Sequence, residues 1–414
     1  MPDHPFQSLG LAEPLLRAVT ERGYDEPTAV QAAAIPEVLA GRDVWVKAST
    51  GSGKTAAFVL PILEAMAQRE LTVPRRVQAL IIVPTRELAK QTADEIAAFR
   101  KYLRQRPKVV VVLGGVSINP QMMELRGGAD IVVATPGRLL DLVDKNALSL
   151  ASVSQLVLDE ADRLLEVGFN DELTRIVALL PRVRQTLLFS ATFSPSVSKL
   201  AEYHLVDPVR VDVTAAPADV PAIDQRAIEV DAPKRTQLLR HLLEKYAWER
   251  VLVFVATTHA TEHVTEKLSK AGINAVALHG KLSQGARTKA LDMFRASSVH
   301  VLVATDLAAR GLDISGLPAV INYDLPRSPD DYVHRIGRTG RAGERGVAIS
   351  FITAEMHSHF AVIEKRHKHY IVRERIEGFL PTEGTVAPAS TGGIKGARKS
   401  KKDKLREAAA RKGG

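Results

Sequence analysis

The chain has 414 residues, which at about 150 residues a domain predicts two or three domains. It contains no cysteine, which excludes disulfides, thiolate metal sites and cysteine nucleophiles and is typical of a reducing cytoplasm. No apolar run reaches the roughly 18 residues that a membrane span needs, and the N-terminus lacks the pattern of a secretory signal. The sequence therefore predicts a cytoplasmic protein with no membrane partner.

The net charge of +9 is concentrated at the C-terminus. Residues 395–414 hold nine Lys and Arg and two acidic residues, a net charge of +7. Such a segment is typical of proteins that bind a polyanion, and a solubilising terminus is the alternative. The chain is rich in Pro, Gly, Thr, Ala and Lys from residue 378 onward, so residues 378–414 are predicted to form a flexible basic tail.

Strand-like apolar runs alternate with helix-length amphipathic segments from residue 40 onward. The runs are Asp43–Lys47, Gln78–Val83, Lys108–Leu113, Asp130–Ala134, Gln155–Leu158, Thr186–Phe189, Val251–Val255, Asn274–Leu278, His300–Ala304, Ala319–Asn322 and Gly346–Phe351. Continuous runs of Val, Ile and Leu indicate strands buried on both faces, and therefore a parallel sheet with helices on each side.

The alternation stops between about residues 207 and 221, in a stretch rich in Pro, Ala, Asp and Val. Such composition indicates a linker between two α/β domains of similar size. We therefore predict an N-terminal domain at residues 1–210 and a second domain at residues 222–372.

A phosphate-binding loop is predicted directly after the first apolar run. Two of its glycines let backbone N–H groups converge on phosphate oxygens. The lysine reaches the β- and γ-phosphates, and the threonine hydroxyl can ligate Mg²⁺ at the start of a helix. The pattern predicts ATP and Mg²⁺ as cofactors, with Ala48 departing from the usual first glycine. The loop comprises Ala48, Ser49, Thr50, Gly51, Ser52, Gly53, Lys54 and Thr55.

Two carboxylates follow the apolar run Gln155–Leu158. Asp159 is placed to hold Mg²⁺, and Glu160 to orient or deprotonate the attacking water. The alternative is an acidic helix start, which the helix dipole favours. The position at the end of a buried strand, well after the phosphate-binding loop, favours the catalytic interpretation.

The second half of the chain supplies two arginines, Arg338 and Arg341. They lie three residues apart and share one face if this segment is helical. Two guanidiniums suit the charge that develops on a transferring γ-phosphoryl group, which is the role of an arginine finger. A surface basic patch is the alternative.

A series of short motifs runs through residues 6–370 in a fixed order. They are Phe6, Gly23–Gln31, the phosphate-binding loop, Pro84–Ala89, Gly114–Gly115, Thr135–Arg138, Asp159–Asp162, Ser190–Thr192, His279–Gly280, Gln284–Arg287, Ala304–Asp313 and His334–Arg341. In this series the chain resembles the DEAD-box RNA helicases, and within them the bacterial RhlE type. The resemblance implies two tandem RecA-like P-loop domains, each a mostly parallel sheet flanked by helices. It also implies an ATP-dependent RNA helicase that couples RNA-stimulated ATP hydrolysis to local, non-processive duplex unwinding or RNP remodelling.

The resemblance assigns roles around the nucleotide. Gln31 reads the adenine edge and Phe6 stacks on the base, whereas a solvated glutamine and a core phenylalanine are the alternatives. Asp313 accepts hydrogen bonds from the ribose hydroxyls. Ser190, Thr192 and His334 couple the acidic motif to the RNA-bound state; without the resemblance, the first two would cap a helix.

The resemblance also implies the RNA contacts. They offer hydroxyls, backbone N–H groups and guanidiniums, which suit phosphates and 2′-hydroxyls, so we expect little sequence specificity from the core. RNP or RNA-decay proteins are possible further partners. The implied contacts are Thr85, Arg86, Gly115, Thr135, Arg138, Arg287, Thr305 and Gly311.

Two other functions remain open at this point. One is an ATP-gated RNA clamp without significant turnover, which the presence of Glu160 and both arginines disfavours. The other is a DNA-stimulated translocase on the same core, which the Gln31 motif and the residues of the acidic motif disfavour. An ATPase assay with RNA, DNA or neither separates all three.

Overall fold

The computed structural model describes residues 5–48, 51–70, 73–213, 223–309, 314, 316–340 and 345–382. Within these ranges the chain forms two seven-stranded sheets, and every strand pair is parallel. The first sheet has the order β3-β4-β2-β5-β6-β1-β7 and the second β10-β11-β9-β12-β13-β8-β14. This architecture confirms the predicted fold class.

The strands of the first sheet end at the edge where the predicted site residues follow. Its strands are β1 (Val44–Ala48), β2 (Ala79–Ile82), β3 (Val109–Val112), β4 (Ile131–Ala134), β5 (Gln155–Leu158), β6 (Gln185–Ser190) and β7 (Val209–Val213). The second sheet comprises β8 (Ile223–Glu229), β9 (Val251–Phe254), β10 (Ala275–Leu278), β11 (Val301–Ala304), β12 (Ala319–Asn322), β13 (Gly346–Ile352) and β14 (Arg373–Glu374).

Helices connect the strands and cover both faces of each sheet. In chain order they are α1 (Glu13–Glu21), α2 (Ala29–Leu39), α3 (Lys54–Ala67), α4 (Arg86–Phe99), α5 (Ile118–Glu124), α6 (Pro136–Asp144), α7 (Ala161–Val167), α8 (Asn170–Ala178), α9 (Pro195–His204), α10 (Arg235–Tyr246), α11 (Thr258–Lys270), α12 (Gln284–Arg295), α13 (Asp306–Ala309), α14 (Pro329–Ile336) and α15 (His357–His367). None of these helices is both long enough and apolar enough to span a bilayer.

Alternate residues of one strand enter different apolar cores. On β2, Ala79 and Ile81 join the cluster under α1–α4, while Leu80 and Ile82 join the cluster on the opposite face. All four are fully buried, because a strand's successive side chains point to opposite faces. A continuous apolar run is therefore what a sheet covered on both faces requires.

The predicted linker is wrong for residues 209–213. They form β7, which pairs with β1 at the edge of the first sheet. The sequence of β7 alternates apolar residues with Arg210 and Asp212, because one face of an edge strand meets solvent. The second sheet also extends past residue 372 through β14.

Candidate active site and nucleic-acid interface

The phosphate-binding loop joins β1 to α3. Gly51 and Gly53 have φ of 79° and 88°, the left-handed values that favour glycine. Lys54 is buried at the first position of α3, and its Nζ donates a hydrogen bond to the Ala48 carbonyl, 2.7 Å away. Thr55 lies beside it in the same helical turn. The lysine ammonium and the N-terminus of α3 therefore face the same loop, as an anion site requires.

Gln31 holds this loop from the side. Its Nε2 donates to the Gly53 carbonyl at 3.2 Å, and its Oε1 accepts from the Thr28 backbone N–H at 3.0 Å. The Thr28 hydroxyl donates to the Ser52 carbonyl at 2.8 Å. A Cβ on Gly53 would lie 2.4 Å from the flexible end of Gln31, and the φ of 88° at this position is the stronger reason for a glycine. Gln31 is thus a partner of the loop itself, and its contact with adenine stays a prediction.

Phe6 is fully buried in the apolar cluster that also contains Leu9 and Leu15. This placement is what the alternative of a core phenylalanine predicts. Stacking of its ring on a base stays a prediction.

The acidic pair follows β5 and begins α7. Asp159 is 2% exposed, and its Oδ1 accepts from the Glu160 backbone N–H at 2.9 Å. Burial raises the pKa of Asp159 to about 7, although the nearby Lys54 ammonium opposes the rise. Glu160 precedes α7 with φ of 49° and ψ of 50°, a left-handed conformation. A glutamate seldom adopts it, and such backbone strain occurs preferentially at functional sites.

Two further residues at the acidic motif, Asp162 within it and Arg163 directly after it, were not assigned roles from the sequence. Asp162 Oδ2 accepts from the Ala191 backbone N–H at 3.1 Å and from the Thr192 hydroxyl at 3.4 Å. Arg163 is 3% exposed, and its Nε lies 3.4 Å from Glu160 Oε2. The motif is therefore tied to the loop after β6 and carries its own counter-charge for Glu160.

The helix-capping alternative for Ser190 and Thr192 is wrong. Ser190 is the last residue of β6 and is fully buried, with its Oγ accepting from the Thr192 N–H at 3.3 Å. Ser194 caps the next helix by accepting from the Val197 N–H. The Thr192 hydroxyl instead faces Asp162, which is compatible with a coupling role.

Arg338 does not lie on a helix, so the condition under which it would share a helical face with Arg341 is not met. Helix α14 ends at Ile336 with Gly337 as its C-cap, and Thr339 then pairs with Leu317 in an isolated parallel bridge. Arg338 is nonetheless buried and lines a small cavity.

That cavity contains residues from both domains. Arg163 comes from the first domain, and His334 and Arg338 come from the second, together with Asp306 and Arg335. Arg335 fixes α14 by a two-pronged ion pair with Asp306, at 2.5 and 2.7 Å. The predicted arginine and histidine of the second domain therefore approach the acidic motif of the first.

The predicted RNA contacts of the first domain come together at the carboxyl ends of β2, β3 and β4. Thr85 caps α4, and Arg86 reaches the Gly115 carbonyl at 3.5 Å. The Thr135 hydroxyl accepts from the Gly114 N–H at 3.2 Å. These groups form one polar edge of the first sheet.

Arg138 lies at the same edge. It is buried, and its Nη2 donates to the Val116 carbonyl at 2.7 Å. Its Nη1 makes no hydrogen bond within the described residues. An incompletely paired buried guanidinium is suited to accepting an anion such as a phosphate.

Arg287 contacts the first domain directly. Its guanidinium lies on α12 of the second domain and meets the Glu87 carboxylate on α4 at 2.8 Å. Both side chains are nearly fully buried. Thr305 follows β11, and its carbonyl accepts from the Ala308 N–H, while the Ala308 carbonyl accepts from Arg287 Nη2 at 3.5 Å. The sequence left Glu87 without a role, and a carboxylate in the first turn of a helix is by itself an ordinary dipole partner.

Some predicted site residues lie outside the described residues. These are Ser49, Thr50, Gly311, Asp313 and Arg341, and the predicted tail does so from residue 383. Their roles stay predictions.

Comparisons with known proteins show the family of the chain. The DEAD/DEAH box helicase family matches residues 28–200, and the helicase conserved C-terminal domain matches residues 234–343. The chain is 41% identical over 368 residues to the DEAD-box ATP-dependent RNA helicase CshA of Bacillus cereus, covering 89% of this chain and 69% of the relative. It is 43% identical over 353 residues to the ATP-dependent rRNA helicase rrp3 of Emericella nidulans, covering 85% and 75%.

Solved structures of two helicases share the fold. S. cerevisiae Dbp5 bound to RNA and ADP BeF3 aligns with a TM-score of 0.80 at 31% identity, covering 90% of this chain and 96% of Dbp5. Mss116p bound to ssRNA and AMP-PNP aligns with a TM-score of 0.79 at 29% identity, covering 90% and 78%. By sequence and by fold, the chain belongs to the DEAD/DEAH box helicase family.

Proposed function

We propose that this chain is an ATP-dependent RNA helicase in which a bound RNA strand draws the two domains together and thereby permits ATP hydrolysis. The observation that carries the proposal is the buried Glu87–Arg287 pair. It joins the two domains beside Arg86, a predicted RNA contact. RNA bound at this edge therefore stabilises the same closed arrangement that brings Arg338 toward the acidic motif.

In the closed arrangement each side chain has a distinct task. Lys54 binds the β- and γ-phosphates, and Glu160 orients the attacking water and accepts its proton. Arg338, with Arg341 as its proposed partner, stabilises the negative charge of the transferring phosphoryl group. Hydrolysis and phosphate release reopen the cleft. Because coupling is reciprocal, ATP tightens RNA binding by the factor by which RNA tightens ATP binding.

Unwinding follows from the same closure. A strand bent across both domains cannot remain paired with its complement, so a short duplex separates locally and without processive movement. The RNA contacts are hydroxyls, backbone groups and guanidiniums, which favour phosphates and 2′-hydroxyls over base edges.

Mg²⁺ is the cation that we propose for this site. Asp159 and Thr55 would hold it, since hydroxyl and carboxylate oxygens are the ligands that Mg²⁺ prefers. The buried Asp159 carboxyl fits this assignment because Lys54 alone does not offset its burial. When bound, Mg²⁺ neutralises phosphate charge.

The Mg²⁺ affinity should depend on pH. Burial raises the pKa of Asp159 to about 7, and only the ionised carboxylate binds the cation, so protons compete below that pH. We expect the affinity for Mg²⁺-ADP to fall about tenfold per pH unit below pH 7 and to level off above it. Calorimetric titrations at pH 6, 7 and 8 measure this, and Asp159→Asn controls for protonation of the nucleotide itself. Equal affinities of the wild type at pH 6 and pH 8 would contradict the assignment.

The Glu87–Arg287 pair should report on closure. Glu87→Gln or Arg287→Gln leaves one buried charge unpaired, so we expect a loss of RNA-stimulated ATPase of about 5- to 150-fold, the usual range of coupling energies. Exchanging the charges with Glu87→Arg and Arg287→Glu together should recover part of it. Glu87→Arg and Arg287→Glu are also measured singly. If the double variant has no more RNA-stimulated ATPase than either of them, the pair does not control closure and Arg287 acts through RNA alone.

The basic tail is proposed to tether RNA nonspecifically and raise its local concentration. Deleting residues 395–414 should weaken RNA affinity and flatten its salt dependence, while RNA-free ATP turnover stays the same. Binding measured across a salt series tests this. An unchanged slope would reject the tether and leave the solubilising terminus.

Finer assignments are also proposals. We place the chain with the bacterial RhlE type on the residues of its motifs, and in the cytoplasm on its lack of cysteine. RNP or RNA-decay proteins are the further partners that we propose. The bacterial relative compared above carries the name CshA. A tree of bacterial family members in which this chain branches with CshA would overturn the RhlE placement.

The function as a whole is tested by ATP turnover and duplex separation with RNA, with DNA and with neither. Stimulation by RNA with ATP-dependent separation of a short duplex is the expected result. Stimulation by DNA would favour the translocase. Nucleotide-dependent RNA retention without turnover would favour the clamp.

A further inference from the structure

A basic surface lies at the amino ends of β2, β3 and β4, opposite the edge that carries the predicted RNA contacts. Three short segments form it, and they precede these three strands. We call it the basic end patch. Its members are Arg75, Arg76, Arg100, Arg104, Arg106, Lys108 and Arg126.

Backbone and side-chain bonds fix the three segments to one another. The Arg75 guanidinium pairs with the Asp130 carboxylate, which also accepts from the Lys108 backbone N–H at 2.6 Å. Lys108 Nζ donates to the carbonyls of Glu124 and Arg126, at 2.6 and 3.1 Å. The patch is therefore a built surface and not a set of independent loops.

Close backbone contact reinforces this arrangement. Gly128 has φ of 80°, and a Cβ placed on it would lie 1.9 Å from the Arg75 carbonyl oxygen. Arg100 closes the remaining segment by donating to the Pro107 carbonyl. These contacts hold the cationic side chains of the patch close together, although they repel one another.

Acidic groups do not balance this charge locally. Asp130 is fully buried, and its carboxylate already pairs with Arg75 and the Lys108 N–H. Within the three segments, Glu124 is the exposed acidic residue. Burial lowers the pKa of Arg100, and repulsion from Arg106 and Arg75 lowers it further. Exposed guanidiniums that form no hydrogen bond or ion pair within the described residues are those of Arg76, Arg104, Arg106 and Arg126.

The patch favours a phosphate backbone over an acidic protein surface. Several unpaired guanidiniums side by side suit a regular row of phosphates. Tyr102, the aromatic residue within these segments, is occupied by Glu21, Arg17 and Lys101 and is not free to stack on a base. Recognition here would therefore depend on charge and not on base sequence.

The basic end patch and the predicted RNA contacts lie at opposite ends of β2, β3 and β4, so they would bind different parts of an RNA. The strands between them are four residues long and therefore span about 13 Å from one edge to the other. We propose that the basic end patch is a second RNA-binding surface, which holds the phosphates of a structured segment flanking the strand bound at the core. This inference rests on the proposed RNA helicase function and adds an anchor for structured substrates.

The test compares two RNAs bound in the presence of a non-hydrolysable ATP analogue. One is a short single strand, and the other is the same strand extended by a hairpin. Arg76→Gln, Arg104→Gln and Arg106→Gln are combined in the full-length chain. The matched control combines Lys245→Gln, Lys267→Gln and Lys365→Gln, three exposed lysines of the second domain.

We expect the triple arginine variant to bind the hairpin RNA about tenfold more weakly, with a salt slope lower by about two to three. It should bind the short strand like the wild type, and the control should bind both RNAs like the wild type. Equal hairpin affinity and slope in variant and wild type would overturn the proposal. Weaker short-strand binding would also overturn it, by placing these arginines in the core site or the fold. A wild type that binds neither RNA would refute the proposed function instead.

Discussion

Glu160→Gln is expected to bind ATP and RNA like the wild type while its RNA-stimulated kcat falls about 10²- to 10⁴-fold, the usual contribution of a general base. The amide keeps the size of the side chain but cannot accept the proton of the attacking water. Glu160 is 7% exposed and is held by its left-handed backbone and by Arg163. The groups proposed to bind nucleotide, Lys54 and Asp159, stay in place.

Single-turnover hydrolysis measures the loss of the chemical step. The lifetime of the RNA complex with ATP measures the retained binding. The complex should persist far longer in the variant because hydrolysis no longer opens the cleft. Asp171→Asn, an exposed carboxylate on the neighbouring helix α8, serves as the control. Hydrolysis at the wild-type rate would remove Glu160 from the catalytic role.

Lys54→Ala is expected to lose nearly all ATP binding. The ammonium is buried, and its bond to the Ala48 carbonyl places it at the loop where phosphates are proposed to bind. Truncating one partner of a buried charge-assisted contact costs about 2–5 kcal/mol, or roughly 30- to 5,000-fold in affinity. The variant also removes the cation that keeps the pKa of Asp159 from rising further, which weakens binding of Mg²⁺ as well.

Nucleotide affinity is measured by fluorescence titration, with thermal unfolding to establish that the variant folds. Lys47→Ala is the matched control. This lysine lies on β1, the strand that leads into the loop, but it pairs with Asp212 at the surface. Wild-type ATP affinity in the Lys54 variant would show that the loop does not bind phosphate through this residue.

The predicted strands agree with the structure because their burial on both faces leaves continuous apolar runs, as in Ala79–Ile82. The strands that sequence analysis missed lack that signature. β7 is an edge strand with charged residues on one face, and β8 reads Ile-Asp-Gln-Arg-Ala-Ile-Glu. The alternation in β7 is the pattern of a half-buried strand, which a search for continuous apolar runs does not find.

The sequence predicts those parts of the site in which neighbouring residues act together. Gly51 and Gly53 take the left-handed conformations that a phosphate loop requires, and Asp159 follows a buried strand. The role of Glu87 was not accessible, since its partner Arg287 is 200 residues away. No short-range pattern marks a contact between domains.

The helical arrangement considered for Arg338 and Arg341 does not apply to Arg338. A spacing of three residues predicts one helical face only if the helix continues, and α14 ends at Ile336. The arginine is instead positioned by the bridge between Thr339 and Leu317 and by the anchoring of Arg335 on Asp306. These contacts depend on the assembled second domain.

The most direct measurement is the ATP turnover of the full-length chain with saturating single-stranded RNA and without any nucleic acid. If RNA must draw the domains together before hydrolysis, turnover should rise at least about tenfold with RNA. Arg287→Glu, which places two carboxylates together at the interface, should lose most of that rise. Equal turnover with and without RNA would contradict the account.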